Sequence, residues 1–353
     1  MIDTTTYLLE IKDELNMVPH YPGFEKTDIP SYSFLIHHKP TNSRLLFDLG
    51  LRTDWRTKMS PHLLEEIKPF DLIIQVQKDT ADILEEANLH PSEINGIIFS
   101  HHHWDHVGDV TKFPWSTSII VGPGYQKSYL PGWPADPNAA ATMSDLYEGR
   151  ETIEVDFSSN DARACKLGAY EANDWFGDGS FYLLNAPGHT TGHLCALCRT
   201  TTDSTGQSTF VFLAGDLAHH GALFRPTEFC PIPDRITPAP YDPPTASSSC
   251  PGEVYASQHR CRKGPDGEVK SRTTPFCVVN PCGVVDEDPA LAQQSLNKIF
   301  HFDADDHVFT IYAHDHTLLD IIDFFPEKIT DWKAKGWGKL SHWRFLGPLK
   351  IDG

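Results

Sequence analysis

Three imidazoles and a carboxylate fall within six residues at His101, His103, Asp105 and His106, in the run His-His-His-Trp-Asp-His. These are side chains that zinc takes as ligands through imidazole nitrogen and carboxylate oxygen. The spacing H-x-H-x-D-H is uncommon enough to be a fairly strong signal of a metal site. It follows directly on Asn95-Gly-Ile-Ile-Phe-Ser100, a short apolar run that predicts a strand. A strand end suits ligands because the strand is rigid and the loop after it can turn inward. His102 points away from its neighbours on such an extended loop, so it is expected beside the ligands or at the surface.

A site for two metals needs more ligands than one loop supplies, and further candidates also follow apolar runs. After Phe181–Asn185 comes Ala186-Pro-Gly-His189-Thr-Thr-Gly-His193; after Phe210–Ala214 comes Gly215-Asp216; after Val308–Ala313 comes His314-Asp315. His316 competes with His314, and His193 reads as a packing or hydrogen-bonding histidine. Asp109 is either a support for the ligand loop or a solvated loop residue. His37 and His38, ahead of Lys39-Pro40, are expected to be exposed.

The elements that must position these residues are short. Strands are predicted at 32–36, 44–47, 96–99, 118–121, 181–184, 194–197, 209–213 and 308–312. Helices are predicted at 79–87, at 289–300 behind Asp288 as a cap, and at 316–324. Strands in both halves with helices between them imply two sheets packed together with helices outside, an α/β sandwich. No linker divides the motifs, so a single domain over 1–353 is expected, with insertions at about 122–141 and 227–283. The first is rich in Gly, Pro and aromatics, and Tyr125, Tyr129 and Trp133 are read as an aromatic lid. The second, rich in Pro, Ser and Cys, is read as a cap over the metal edge or as a surface excursion.

Composition narrows the function. Hydrophobic residues make up 40% and charged residues 22%, a globular balance. The formal charge is −19, from 29 basic and 48 acidic residues, with no basic run. Nucleic acid and anionic membranes are therefore not expected partners. No apolar stretch reaches the ~20 residues of a membrane span, and no secretory signal is visible, so a soluble cytoplasmic protein acting on a small molecule is the expectation. Cys195 and Cys198 sit in a predicted strand as packed side chains, and Cys250, Cys261, Cys277 and Cys282 have no usual zinc-finger spacing.

The order H-x-H-x-D-H, P-G-H-T-x-G-H, G-D and A-H-D resembles the metallo-β-lactamase superfamily, over about residues 32–325. The resemblance implies an αββα sandwich and two metal ions. His101, His103 and His189 would bind the first metal; Asp105, His106 and His314 would bind the second; Asp216 would bridge them. Asp48 stands where the family often has a buried aspartate that orients the histidine loop. Two Zn²⁺ are implied, with Mn²⁺ or Fe²⁺ tolerated. The implied reaction is hydrolysis of a carbonyl compound by a metal-bridging hydroxide, with Asp105 carrying a proton to the leaving group.

An aspartate bridge is similar to the lactonase branch, but lactonases of that branch usually have a tyrosine where this chain has His219. His219 either donates to the substrate carbonyl through a ring N–H or is a loop histidine without a role. This departure is similar to fungal members of the superfamily, some of which open plant benzoxazolinones as γ-lactamases. The expected function is opening of a small cyclic amide or ester, a γ-lactam such as benzoxazolinone or a lactone. The alternative is a thioesterase of the same superfamily acting on acyl-carrier or CoA thioesters.

Overall fold

In a strand, neighbouring side chains point to opposite faces, so two apolar faces mean a layer on each side. Leu45, Phe47 and Ile98 pack into one buried cluster, whereas the intervening Leu46, Ile97 and Phe99 pack into another. Leu183 and Leu184 divide in the same way on the other side of the molecule. One cluster fills the space between two sheets, and the other two line their outer faces. The computed structural model describes residues 1–139, 142–260 and 269–350; Cys261 and residues 140–141 of the first insertion lie outside them.

The first sheet contains β1 (Ile2–Lys12), β2 (Lys26–His38), β3 (Ser43–Phe47), β4 (Ile73–Gln75), β5 (Gly96–Ile98), β6 (Ser118–Val121) and β7 (Thr152–Glu154), in the order β4-β1-β2-β3-β5-β6-β7. The second contains β8 (Ala164–Leu167), β9 (Tyr170–Asp174), β10 (Phe181–Asn185), β11 (Leu194–Thr202), β12 (Ser208–Leu213) and β13 (Val308–Ile311), in the order β13-β12-β11-β10-β9-β8. Both sheets mix parallel and antiparallel pairs. In the first, β3, β5, β6 and β7 run parallel. In the second, β12 and β13 run parallel while β10, β11 and β12 alternate in direction. Hence β10, β12 and β13 share one direction. The sheets are tied where the ligand loops leave them, by Leu194 N–H to Ser100 O at 2.7 Å and Tyr32 N–H to Ala313 O at 3.1 Å. The expected αββα sandwich is the observed architecture.

Several expectations change in detail. β1 has no counterpart among the predicted strands, because its alternation is carried by Thr4 and Thr6, which are buried without being apolar. The helix expected over 316–324 is only a short turn, His316–Leu318, capped by Asp315. The helix expected over 289–300 ends at Asn297, and a second turn follows at Phe300–Asp303. The described part of the segment 227–283 is not a surface excursion. It has little regular structure, but Ile232, Ile236, Tyr255, Phe276 and Cys277 are buried in the cluster on the outer face of the second sheet. It replaces helical covering with irregular chain whose apolar residues have no period to read. Tyr125 is not part of a lid: it is fully buried, with its hydroxyl against that of Tyr147. His38 is also buried rather than exposed, stacked on Phe176 with centroids 3.9 Å apart and bonded to Asp178. Cys195 and Cys198 are unpaired residues of β11, as expected. Among the described residues no helix is long and apolar enough to cross a membrane.

Candidate metal centre

The loops that carry the candidate ligands leave β5, β10, β12 and β13 on one edge of the sheet pair. Seven of their residues form two groups of potential ligand atoms. His101, His103, His189 and Asp216 make one group, and Asp105, His106 and His314 make the other; within each, the atoms lie within 4.8 Å of one another. His103 Nδ1 stands 3.0 Å from His189 Nε2, and Asp216 Oδ2 is 3.5 Å from His189 Nε2 and 3.7 Å from His101 Nε2. In the second group, Asp105 Oδ2 is 3.7 Å from both His106 Nε2 and His314 Nε2. Asp216 lies between the groups, with Oδ1 3.2 Å from His106 Nε2 and Oδ2 3.2 Å from His314 Nε2. All seven residues predicted as ligands are thus brought together. His316 belongs to neither group.

Hydrogen bonds on the far side of four of these rings set which nitrogen faces the centre. His106 Nδ1 bonds Asp48 Oδ2 at 2.9 Å, His189 Nδ1 bonds Asp286 Oδ1 at 2.9 Å, and His314 Nδ1 bonds Pro30 O at 2.7 Å. His101 Nδ1 lies 2.9 Å from Ser100 Oγ, whose hydroxyl donates to Asp48. A carbonyl or carboxylate can only accept, so Nδ1 carries a hydrogen and the neutral ring turns the Nε2 lone pair inward. Asp48 also accepts from Ser100 N–H at 2.7 Å, which pins the start of the histidine loop as expected. His193 is spent differently: Nδ1 bonds Ala186 O, and Nε2 accepts from the Asp216 backbone N–H. It holds the Asp216 loop in place.

These residues fit a pair of cations. His101 Nε2, His106 Nε2 and Asp216 Oδ1 are buried and have no hydrogen-bond partner. Unpaired buried polar atoms are costly, and a cation in each group would satisfy all three. Burial, reinforced by neighbouring imidazoles, pushes His101 and His189 well below the ordinary imidazole value, so both present lone pairs. Burial also opposes charge at His106 and His314, but Asp216 and Asp105 outweigh it and hold both above that value. The electrostatics call for positive charge beside Asp216, which divalent cations supply.

Asp286 and Glu287 were not singled out from the sequence. Besides the Asp286 contact, Glu287 accepts from Thr191 N–H at 2.7 Å and from the Tyr129 hydroxyl at 2.6 Å. The signal available was Asp286-Glu287-Asp288, three acids where the helix cap uses only Asp288. Tyr129 also stacks on His102, with centroids 3.8 Å apart. His102 is buried in that stack, outside both ligand groups. Asp109 is likewise outside, capping the turn at Val110–Lys112 and lying 3.6 Å from Arg52. His219 reaches the centre, its Nε2 3.2 Å from Asp216 Oδ2.

The metallo-beta-lactamase superfamily model matches residues 27–199, which include both the H-x-H-x-D-H loop and His189. Over 353 residues the chain is 39% identical to a gamma-lactamase of Fusarium pseudograminearum, covering 99% of this chain and 81% of that protein. The chain belongs to the metallo-beta-lactamase superfamily. It is a hydrolase of that superfamily with a dinuclear metal centre. It is also 38% identical to a metallo-hydrolase of Annulohypoxylon moriforme, over 99% of this chain and 86% of that one. Among solved structures, an N-acyl homoserine lactone hydrolase with N-hexanoyl-L-homoserine at its catalytic metal centre superposes with a TM-score of 0.53. That match covers 92% of this chain and 96% of that one at 15% identity, a likeness of fold.

Proposed function

We propose that this metal-dependent hydrolase opens a small cyclic amide or ester, with a γ-lactam fused to an aromatic ring, such as benzoxazolinone, as the favoured substrate. The observation that carries this reading is the 39% identity to a gamma-lactamase over nearly the whole chain. Two Zn²⁺ ions are proposed as the native metals, held by His101, His103 and His189 on one side, by Asp105, His106 and His314 on the other, and by Asp216 between them. The bound ions supply a nucleophile from water near neutral pH and draw electron density from the substrate carbonyl.

The chain's own groups do the rest. His103 and His219 are the half-buried members of the cluster, while the others are buried, so substrate approaches between these two. Asp105, with Ser31 Oγ 3.3 Å from its Oδ2, takes the proton released by the attacking water and returns it to the departing nitrogen or oxygen. Asp48, Asp286 and the Pro30 carbonyl hold the rings in place while this happens.

The test is hydrolysis of a panel of benzoxazolinone, simple γ-lactams, lactones and acyl thioesters by the metal-loaded protein. Ring opening of the lactam, lost on chelation and restored by Zn²⁺, is the expected result. Cleavage of thioesters alone would overturn the proposal in favour of a thioesterase.

A further inference from the structure

His219 lies three residues past Asp216, between β12 and the turn Gly221–Leu223. Its Nε2 and that of His314 each stand 3.2 Å from the same oxygen, Asp216 Oδ2. The two rings are almost parallel, 17° apart, with centroids 5.7 Å apart. Asp216, His219 and His314 each offer one ligand atom, and these three atoms lie within 4.8 Å of one another. His314 is therefore common to this group and to the group of Asp105 and His106. Its Nδ1 is engaged by Pro30 O, which leaves one lone pair, at Nε2, for a single cation. The two groups that share His314 describe the same ion.

We infer that His219 is a fifth protein ligand of the second metal ion, beside Asp105, His106, His314 and Asp216. The inference rests on the two-metal reading and goes beyond it. A ring nitrogen whose lone pair is committed to a cation has no proton to give a carbonyl oxygen, so ligation excludes donation from Nε2, the nitrogen that faces the centre. The first ion then has three nitrogens and one oxygen from the protein, which suits tetrahedral zinc. The second has three nitrogens and two oxygens, a five-ligand set that zinc accepts and that Mn²⁺ or Fe²⁺ accept more readily. The two positions should differ in metal preference.

The test is a cobalt(II) titration of the full chain against a chromophoric chelator, followed by visible absorption. Wild type, His219→Ala, His219→Gly and His314→Ala are compared, with circular dichroism as a check of folding. Wild type should bind two ions. His219→Ala should bind one of them about tenfold or more weakly, with an altered cobalt spectrum. Free imidazole should restore the wild-type spectrum to His219→Gly, which a merely structural role would not produce. If His219→Ala does not fold, His219→Asn carries the same comparison. Unchanged affinity and spectrum in the His219 variants, while His314→Ala loses an ion, would overturn the inference and leave the two-metal reading standing. Fewer than two ions in wild type would overturn the two-metal reading itself, and two tightly bound ions in His314→Ala would overturn the inference by removing the histidine that ties His219 to the second ion.

Discussion

His189 is fixed from behind by Asp286, whose carboxylate meets Nδ1 at 2.9 Å. Partners of this kind fix the tautomer and the aim of the ligand, and their loss typically costs 10–100-fold in metal affinity. Asp286→Asn is therefore expected to weaken the first ion by about tenfold or more while leaving the fold intact, as read by chelator competition and circular dichroism. Wild-type affinity in that variant would show that the loop alone holds the ring. Asp48 has a heavier duty, since it accepts from Ser100 N–H, Ser100 Oγ and His106 Nδ1 in a fully buried position. Asp48→Ala strands these donors, at about 1–3 kcal/mol for each one left unsatisfied. It should lower the urea midpoint of the metal-free protein as well as metal occupancy; a loss of occupancy alone would contradict this account.

At the scale of elements, the His189 loop is pressed onto the helix Pro289–Asn297. Gly188 has φ +131°, and a Cβ there would lie 2.1 Å from Ala292 N. Gly188→Ala should cost about 1–3 kcal/mol from the backbone conformation alone, with the clash added. Thermal unfolding and metal affinity should fall together, because Asp288 N–H also bonds Gly188 O and carries Asp286 with it. The turn joining β1 to β2 contains Asp13, which accepts from Thr27 Oγ1 and has its second oxygen buried without a partner. Burial pushes its carboxyl up to about 6, against smaller effects of Thr27 and His20 that lower it and of Glu25 that raises it. A carboxyl raised on folding favours the native state below its unfolded value near 4, and that contribution is lost as pH rises through about 6. Asp13→Asn should therefore gain on wild type between pH 4 and pH 7, by up to about 3 kcal/mol. Parallel stability–pH curves for the two proteins would refute it.

Across the whole molecule, the candidate ligands come from loops of both sheets, so metal binding and the packing of the sheets are linked. A ligand that binds only the folded state stabilises it by about 2.7 kcal/mol at a hundredfold excess over its Kd. Chelation should accordingly lower the Tm by several degrees, and Zn²⁺ should restore it. A Tm indifferent to chelation would mean that the centre is assembled without help from the metal.

The candidate ligands were legible because metal chemistry admits few side-chain types and because each candidate follows an apolar run. The layered fold was legible because alternating and continuous apolar runs betray which strands are covered on both faces. The sequence by itself thus pointed to metal chemistry, to the sandwich and to the seven candidate ligands that the fold brings together. Contacts between residues distant in the chain were not legible, since nothing local records that Pro30 O meets His314 or that Asp286 meets His189, residues 284 and 97 positions apart. The tertiary structure alone decided that the described part of segment 227–283 is buried covering, that Tyr125 is core, and that His219 stands beside Asp216 and His314. Those outcomes depend on which surfaces meet, and an irregular chain without a period carries no local sign of the surface it will cover.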